Sequence, residues 1–225
     1  LAIRGRKALV AASSSGLGLA CASALAREGC EVVINGRDPA RLEHARQQIA
    51  DTVGVEVRTL CADINTEAGR QTLVQACPQA DILVNNNAGP PPGVLADWDH
   101  AAWLAALEAN FLAPVLLIRA LLPGMRVRRF GRIVNITSAM VKSPRPHMAL
   151  SSSARTGLTA FSKAMALEAA ADNVTINNLL PERIDTGRQR EMAELAVAFK
   201  GITLDEAYAE IAATIGSNRE RVSRV

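Results

Sequence analysis

Between Lys7 and Leu180, short apolar runs alternate with longer stretches in which apolar residues recur every three or four positions. The runs KALVAA (Lys7–Ala12), EVVIN (Glu31–Asn35), VEVRTLCAD (Val55–Asp63), DILVNN (Asp81–Asn86), GRIVNIT (Gly131–Thr137) and VTINNLL (Val174–Leu180) predict six strands. Between the first two, Leu17, Ala20, Cys21, Ala24 and Leu25 predict a helical face closed by Gly29. Asp38 is placed to cap a helix with Pro39 at its first position and Leu42, Ala45 and Ile49 facing inward. Thr66–Ala76 predicts a short helix, Asp99–Leu122 a long one interrupted by Pro114, and Thr156–Ala170 an amphipathic one.

Nearly continuous apolar strands are expected where a parallel sheet is covered on both faces. Their alternation with helices predicts a single α/β domain over residues 1–225, a doubly wound, Rossmann-like parallel sheet. Beyond Pro181 the pattern changes to two helices, Thr186–Lys200 and Thr203–Ile215, separated by Gly201. At the carboxyl end of a strand, residues 186–215 are placed to serve as a lid over a ligand crevice. A surface hairpin with no role at the site is the alternative.

The 225 residues, 49% hydrophobic, are enough for one large core that removes roughly 70% of the unfolded surface from water. A net charge of +3 is too small to argue for nucleic acid, and the basic run MRVRRFGR (Met125–Arg132) is expected in a solvated loop. Cys21, Cys30, Cys61 and Cys77 form no CxxC pair and no metal-ligand spacing with histidine. Reduced, half-buried thiols in a cytoplasmic protein are expected, with no metal. No uninterrupted apolar run approaches the roughly 20 residues of a membrane span, so no membrane partner is expected.

AASSSGLGLA (Ala11–Ala20) lies between the first strand and first helix. Small residues there let backbone N–H groups and the positive helix end approach a pyrophosphate, and the Ser13–Ser15 hydroxyls could add hydrogen bonds. At the end of the second strand, an acidic residue favours a free ribose 2′-OH and an arginine a 2′-phosphate. The chain has Arg37 there, and Asp38 is explained as a helix cap, so NADP(H) is favoured over NAD(H).

With these motifs in order from Lys7 to about Ile215, the chain resembles the short-chain dehydrogenase/reductase family, and within it the 3-oxoacyl-carrier-protein-reductase-like members. The resemblance implies that the glycine motif falls on Ala11–Gly18, so that Ala12, Ser13, Ser14, Ser15, Gly16, Leu17 and Gly18 hold the cofactor phosphates. It places the adenine contact on Asp63 and Ile64, and the Asn-Asn-Ala-Gly motif on NNNAG (Asn85–Gly89), with Asn86, Asn87 and Ala88 on the cofactor. It puts the catalytic asparagine on Asn110 and the catalytic serine on Ser138. The Pro-Gly turn beside the nicotinamide falls on Pro181 and Glu182, with further cofactor contacts at Ile184 and in Asp185–Thr186. A homodimer or homotetramer is implied, and a final helix and strand of the family are expected to be absent.

Four positions depart from the family pattern. Ala12 and Glu182 stand where it has glycine, and the asparagine motif carries an extra residue. The Tyr-x-x-x-Lys pair falls on Ser151 and Arg155. In the family, tyrosine moves the proton, lysine lowers its pKa and holds the ribose, serine binds the substrate oxygen, and asparagine holds a water of the relay. A serine hydroxyl ionises far above the working pH and is a poor general acid. Arg155 keeps the charge and could hold the ribose, but it cannot shed its proton. Lys142 and His147 are candidate replacement acids at the substrate pocket; Tyr208, the one tyrosine, falls in the lid. Two functions are therefore expected: an NADP-dependent oxidoreductase interconverting a carbonyl and a secondary alcohol, or an NADP-binding sensor with impaired catalysis.

Overall fold

In the computed structural model, residues 2–182, 184 and 186–215 are described. The strands are β1 (Lys7–Val10), β2 (Glu31–Gly36), β3 (Arg58–Cys61), β4 (Ile82–Asn85), β5 (Gly131–Ile136) and β6 (Val174–Leu179). They pair in parallel in the order β3-β2-β1-β4-β5-β6. The chain thus reverses its direction of sheet growth between β1 and β4, and a crevice opens there at the strands' carboxyl ends.

Neighbouring side chains of β1 and β2 point to opposite faces. Ala8, Val10, Val32 and Ile34 pack under α1 (Gly16–Arg27) and α2 (Pro39–Val53). Leu9, Val33, Leu83 and Ile133 pack under α3 (Glu67–Ala76) and α5 (Ala113–Val127), where Leu73, Leu117, Ile118 and Met125 are fully buried. The edge strands depart from the expected two-sided cover: β3 is largely exposed, and β6 alternates Val174 and Ile176 inward with Thr175 and Asn177 outward.

A polar row crosses the apolar sheet. Asn85, Asn135 and Asn178 are register partners on β4, β5 and β6. Asn85 Nδ2 donates to Asn135 Oδ1 at 2.8 Å, and Asn135 Nδ2 donates to Asn178 Oδ1 at 3.2 Å and to Ser162 Oγ at 2.9 Å.

Helix ends follow local chemistry. Asp38 accepts from Ala40 and Arg41 N–H, and Thr66 and Asp99 cap α3 and α4 (His100–Leu107) in the same way. After α1, Gly29 at φ 82° donates to Ala26 O while Cys30 N–H reaches Leu25 O, a Schellman closure.

Four expectations need correction. The buried residues of α1 are Gly18, Leu19, Ala22 and Ala26, while Ala20 and Ala24 are exposed. In a run of small residues no single face stands out, and the close approach at Gly18 sets the rotation. Met125–Arg132 is a solvated connection only at the exposed turn Arg128–Arg129: α5 runs through Pro123 to Val127 and β5 begins at Gly131. Its arginines are paired, Arg126 with Asp172 (2.7 Å) and Glu168 (2.5 Å) and Arg128 with Ala80 O (2.8 Å). His100–Val127, with an 18-residue window of mean hydropathy 1.8, is long and apolar enough to cross a membrane by length and composition. A third of that window is buried: Leu117, Ile118, Leu121 and Met125 face the core, while Leu104 and Leu112 are exposed. Finally, Cys61 is exposed, while burial pushes the Cys21, Cys30 and Cys77 thiols above their ordinary range.

The described residues form two compact units, one up to Leu180 and one from Pro181 to Ile215. The second contains α7 (Gly187–Lys200) and α8 (Leu204–Ile215), which pack on each other and are separated by Gly201 at φ 66°.

Candidate active site

The turn after β1 is built for close approach. A Cβ on Gly18 would lie 2.5 Å from Ala12 O and 2.8 Å from Asn86 Nδ2. Ala12 N–H donates to Asn35 Oδ1 and Ala12 O accepts from Asn86 Nδ2. The Ser13 hydroxyl is not free for a phosphate: fully buried, it donates to Val10 O at 2.7 Å and accepts from Asn35 N–H at 2.9 Å. Ser14, Ser15, Gly16 and Leu17 face outward or half outward, and the N-terminus of α1 lacks the side-chain cap that α2, α3 and α4 possess. Its orphan N–H groups and positive end suit a pyrophosphate, so the residues present fit a dinucleotide.

Ala12 has φ 44°, a left-handed conformation that costs an alanine roughly 1 kcal/mol relative to glycine. Ala12→Gly is accordingly expected to raise stability by about 1 kcal/mol, read as a higher urea midpoint at unchanged slope.

On the other side of the turn, Arg37 is 68% exposed with Nη1 3.7 Å from Asp63 Oδ2, and Arg41 Nη2 lies 3.4 Å from Ser15 Oγ. Ile64 is buried behind Asp63. Across the crevice, α6 begins at Ala149, earlier than its amphipathic pattern, so Ser151 and Arg155 share a face one turn apart. Both are buried, at 5% and 9% exposure. Arg155 Nε donates to Ser151 Oγ (3.2 Å), and Nη1 donates to Ile136 O (2.8 Å) and Thr137 O (3.0 Å). The guanidinium therefore closes the carboxyl end of β5.

Asn110 lies in a π turn, Glu108–Leu112, between α4 and α5. Its Nδ2 donates to Ala88 O at 3.2 Å, and its Oδ1, like that of Asn85, is buried without a hydrogen-bond partner among the described residues. Both asparagines line one cavity with Ile64, Asn86, Asn87 and Arg155. It leaves about 10 Å³ for the centre of a water molecule, room for roughly one water.

The fold thus brings together Asn110, Arg155, Ile64, Asn86 and Asn87, with Ser151 bonded to Arg155. Ser138 caps the short turn Ala139–Val141, accepting from Met140 N–H at 3.2 Å, and that turn packs on α6. Ala88, Lys142 and His147 are exposed and do not line the cavity. Pro181, Ile184, Thr186 and the exposed Tyr208 belong to the second unit, and Asp185 lies outside the described residues. The sequence placed Asn85 at the head of NNNAG but gave it no role at the site; it lines the cavity beside Asn110.

The family profile described as short chain dehydrogenase matches residues 6–195. The uncharacterized oxidoreductase YvaG of Bacillus subtilis is 33% identical over 210 residues, covering 93% of this chain and 80% of the relative. The D-beta-hydroxybutyrate dehydrogenase of Cupriavidus necator is 30% identical, covering 93% of this chain and 82% of that protein. Among solved structures, L-sorbose reductase from Gluconobacter frateurii, complexed with NADPH and L-sorbose, superposes with a TM-score of 0.87 at 29% identity, covering 94% of this chain and 82% of its own. The sheet order, the turn after β1 and the profile match over most of the chain all agree: this chain belongs to the short-chain dehydrogenase family of NAD(P)-dependent oxidoreductases.

Proposed function

We propose that the chain interconverts a carbonyl and a secondary alcohol with NADP(H) preferred, using Ser151 and Arg155 where the 3-oxoacyl-carrier-protein-reductase-like members keep tyrosine and lysine. The observation that carries this reading is the Arg155–Ser151 hydrogen bond beside a cavity into which Asn110 presents an unpartnered Oδ1. The bound nicotinamide would supply hydride chemistry. Ser138 accepts a backbone N–H, which leaves its O–H to donate to the substrate oxygen. Ser151, its oxygen held by the cationic Arg155, keeps its own O–H to pass on a proton relayed from water. Asn110 Oδ1 is placed to hold such a water.

The exposed Arg37, with Arg41 at Ser15, supports a 2′-phosphate. The NADPH complex of the sorbose reductase is in keeping with that preference. Exposed Leu104 and Leu112 on the long apolar helix support a homodimer or homotetramer in which a second copy covers them. The lid role of residues 186–215 rests on their order in the sequence.

One observation favours a sensor with impaired catalysis. Arg155 already gives Nε and Nη1 to the protein, which lowers its capacity to hold ribose hydroxyls. NADPH absorbance at stoichiometric protein, with pooled ketones and 3-oxoacyl thioesters, separates the two readings. Oxidation above a protein-free control is expected; bound NADPH that stays reduced with every carbonyl would establish the sensor.

A further inference from the structure

Three consecutive residues of the π turn are each held by a different side-chain bond. Glu108 accepts Arg70 Nη1 at 2.6 Å. Ala109 O, in the turn where the helical bonding changes register, accepts Asn87 Nδ2 at 3.0 Å. Asn110 donates to Ala88 O. Asn110 Oδ1 consequently has one direction left, into the cavity.

The first two donors serve a second loop as well. The same Arg70 nitrogen donates to Ile64 O at 2.8 Å, and the same Asn87 nitrogen donates to Asn65 Oδ1 at 2.7 Å. The loop Asp63–Asn65 and the π turn therefore share two anchors. The Arg70 anchor is shielded, its side chain 13% exposed, and its partner Glu108 is half-buried at 33%. Gly69 tightens the loop further, because a Cβ there would lie 1.9 Å from Asp63 O.

We infer that Arg70 and Asn87 are positioning residues that couple occupancy of the Asp63–Asn65 loop by the adenine end of a nucleotide to the orientation of Asn110. A ligand that fixes the Ile64 carbonyl also fixes the Arg70 guanidinium and, through Glu108, the first residue of the turn. The inference rests on the reading of Asp63 and Ile64 as the adenine contact. It assigns Arg70 no contact with substrate or cofactor.

The experiment uses nucleotide fragments that lack nicotinamide, ADP and adenosine 2′,5′-bisphosphate, whose binding is measured by calorimetry. Amide hydrogen exchange is followed in residues 108–112. In the unmodified protein, fragment binding is expected to slow that exchange by about 5-fold or more, the lower range of ordinary coupling. In Arg70→Met the fragment still binds and the slowing is lost, while Arg70→Lys restores part of it. Glu108→Gln, which keeps an acceptor without the charge, provides the same comparison if Arg70→Met does not fold. A bound fragment that leaves 108–112 unchanged in the unmodified protein overturns the inference, as does equal slowing in every variant that folds. Failure of both fragments to bind overturns the adenine reading itself, and the inference with it.

Discussion

Arg155→Met is expected to destabilise the chain by about 3–5 kcal/mol, although it exchanges a buried charge for a buried apolar side chain of similar length. The substitution strips hydrogen bonds from Ile136 O, Thr137 O and Ser151 Oγ. A buried acceptor left without a partner costs about 1–3 kcal/mol, and the end of β5 can relax only in part. Arg155→Lys should recover a fraction, because an ammonium has donors but no planar fork to reach the two carbonyls and the hydroxyl together. Urea unfolding at unchanged slope measures both. A methionine variant as stable as the parent would show that these bonds contribute nothing. The guanidinium would then be held in place for a ligand.

Gly18→Ala is expected to weaken nucleotide binding by about 100-fold, close to 3 kcal/mol. The new methyl would meet Ala12 O at 2.5 Å and both Ser13 Cα and Asn86 Nδ2 at 2.8 Å. Two of these are backbone atoms, so the turn itself must move, carrying the N–H groups of α1 away from their positions. NADPH fluorescence titration gives the affinity, and circular dichroism shows whether the sheet survives. Unchanged affinity in a folded variant would remove this turn from the nucleotide site.

The sheet was legible because most strands are compact apolar runs that alternate with helical patterns. Face assignments were less so. In GLGLACASALAR, alanine and glycine occupy most positions, and apolar periodicity cannot choose between faces that differ by one residue. Pro123 reads as a helix stop, yet burial of Met125 and the pairing of Arg126 with Asp172 and Glu168 hold another turn together beyond it. The site shows the same division. Ser138, Ser151, Arg155 and Asn110 were singled out through the family resemblance, from their order along the chain. The π turn that aims Asn110, the inward rotation of the Ser13 hydroxyl and the engagement of Arg155 with β5 were not. Each depends on where a carbonyl from a distant segment lies, and a linear pattern does not carry that information.

The asparagine row across β4, β5 and β6 has a consequence for assembly of the sheet. ILVN, GRIVNI and VTINNL are short and turn mainly aliphatic side chains inward apart from these amides, and a parallel pair displaced by two residues would still bury aliphatic side chains against aliphatic side chains. The amides make the alternatives unequal. Displacing β5 by two positions would set Asn85 opposite Ile133 or beyond the strand's end, and strand a buried carboxamide at a cost of about 2–7 kcal/mol. Asn135, which touches both neighbours and Ser162 of α6, measures the alignment of three strands and a helix at once. The row acts as a ruler, and the edge of the cavity lies where the ruler ends.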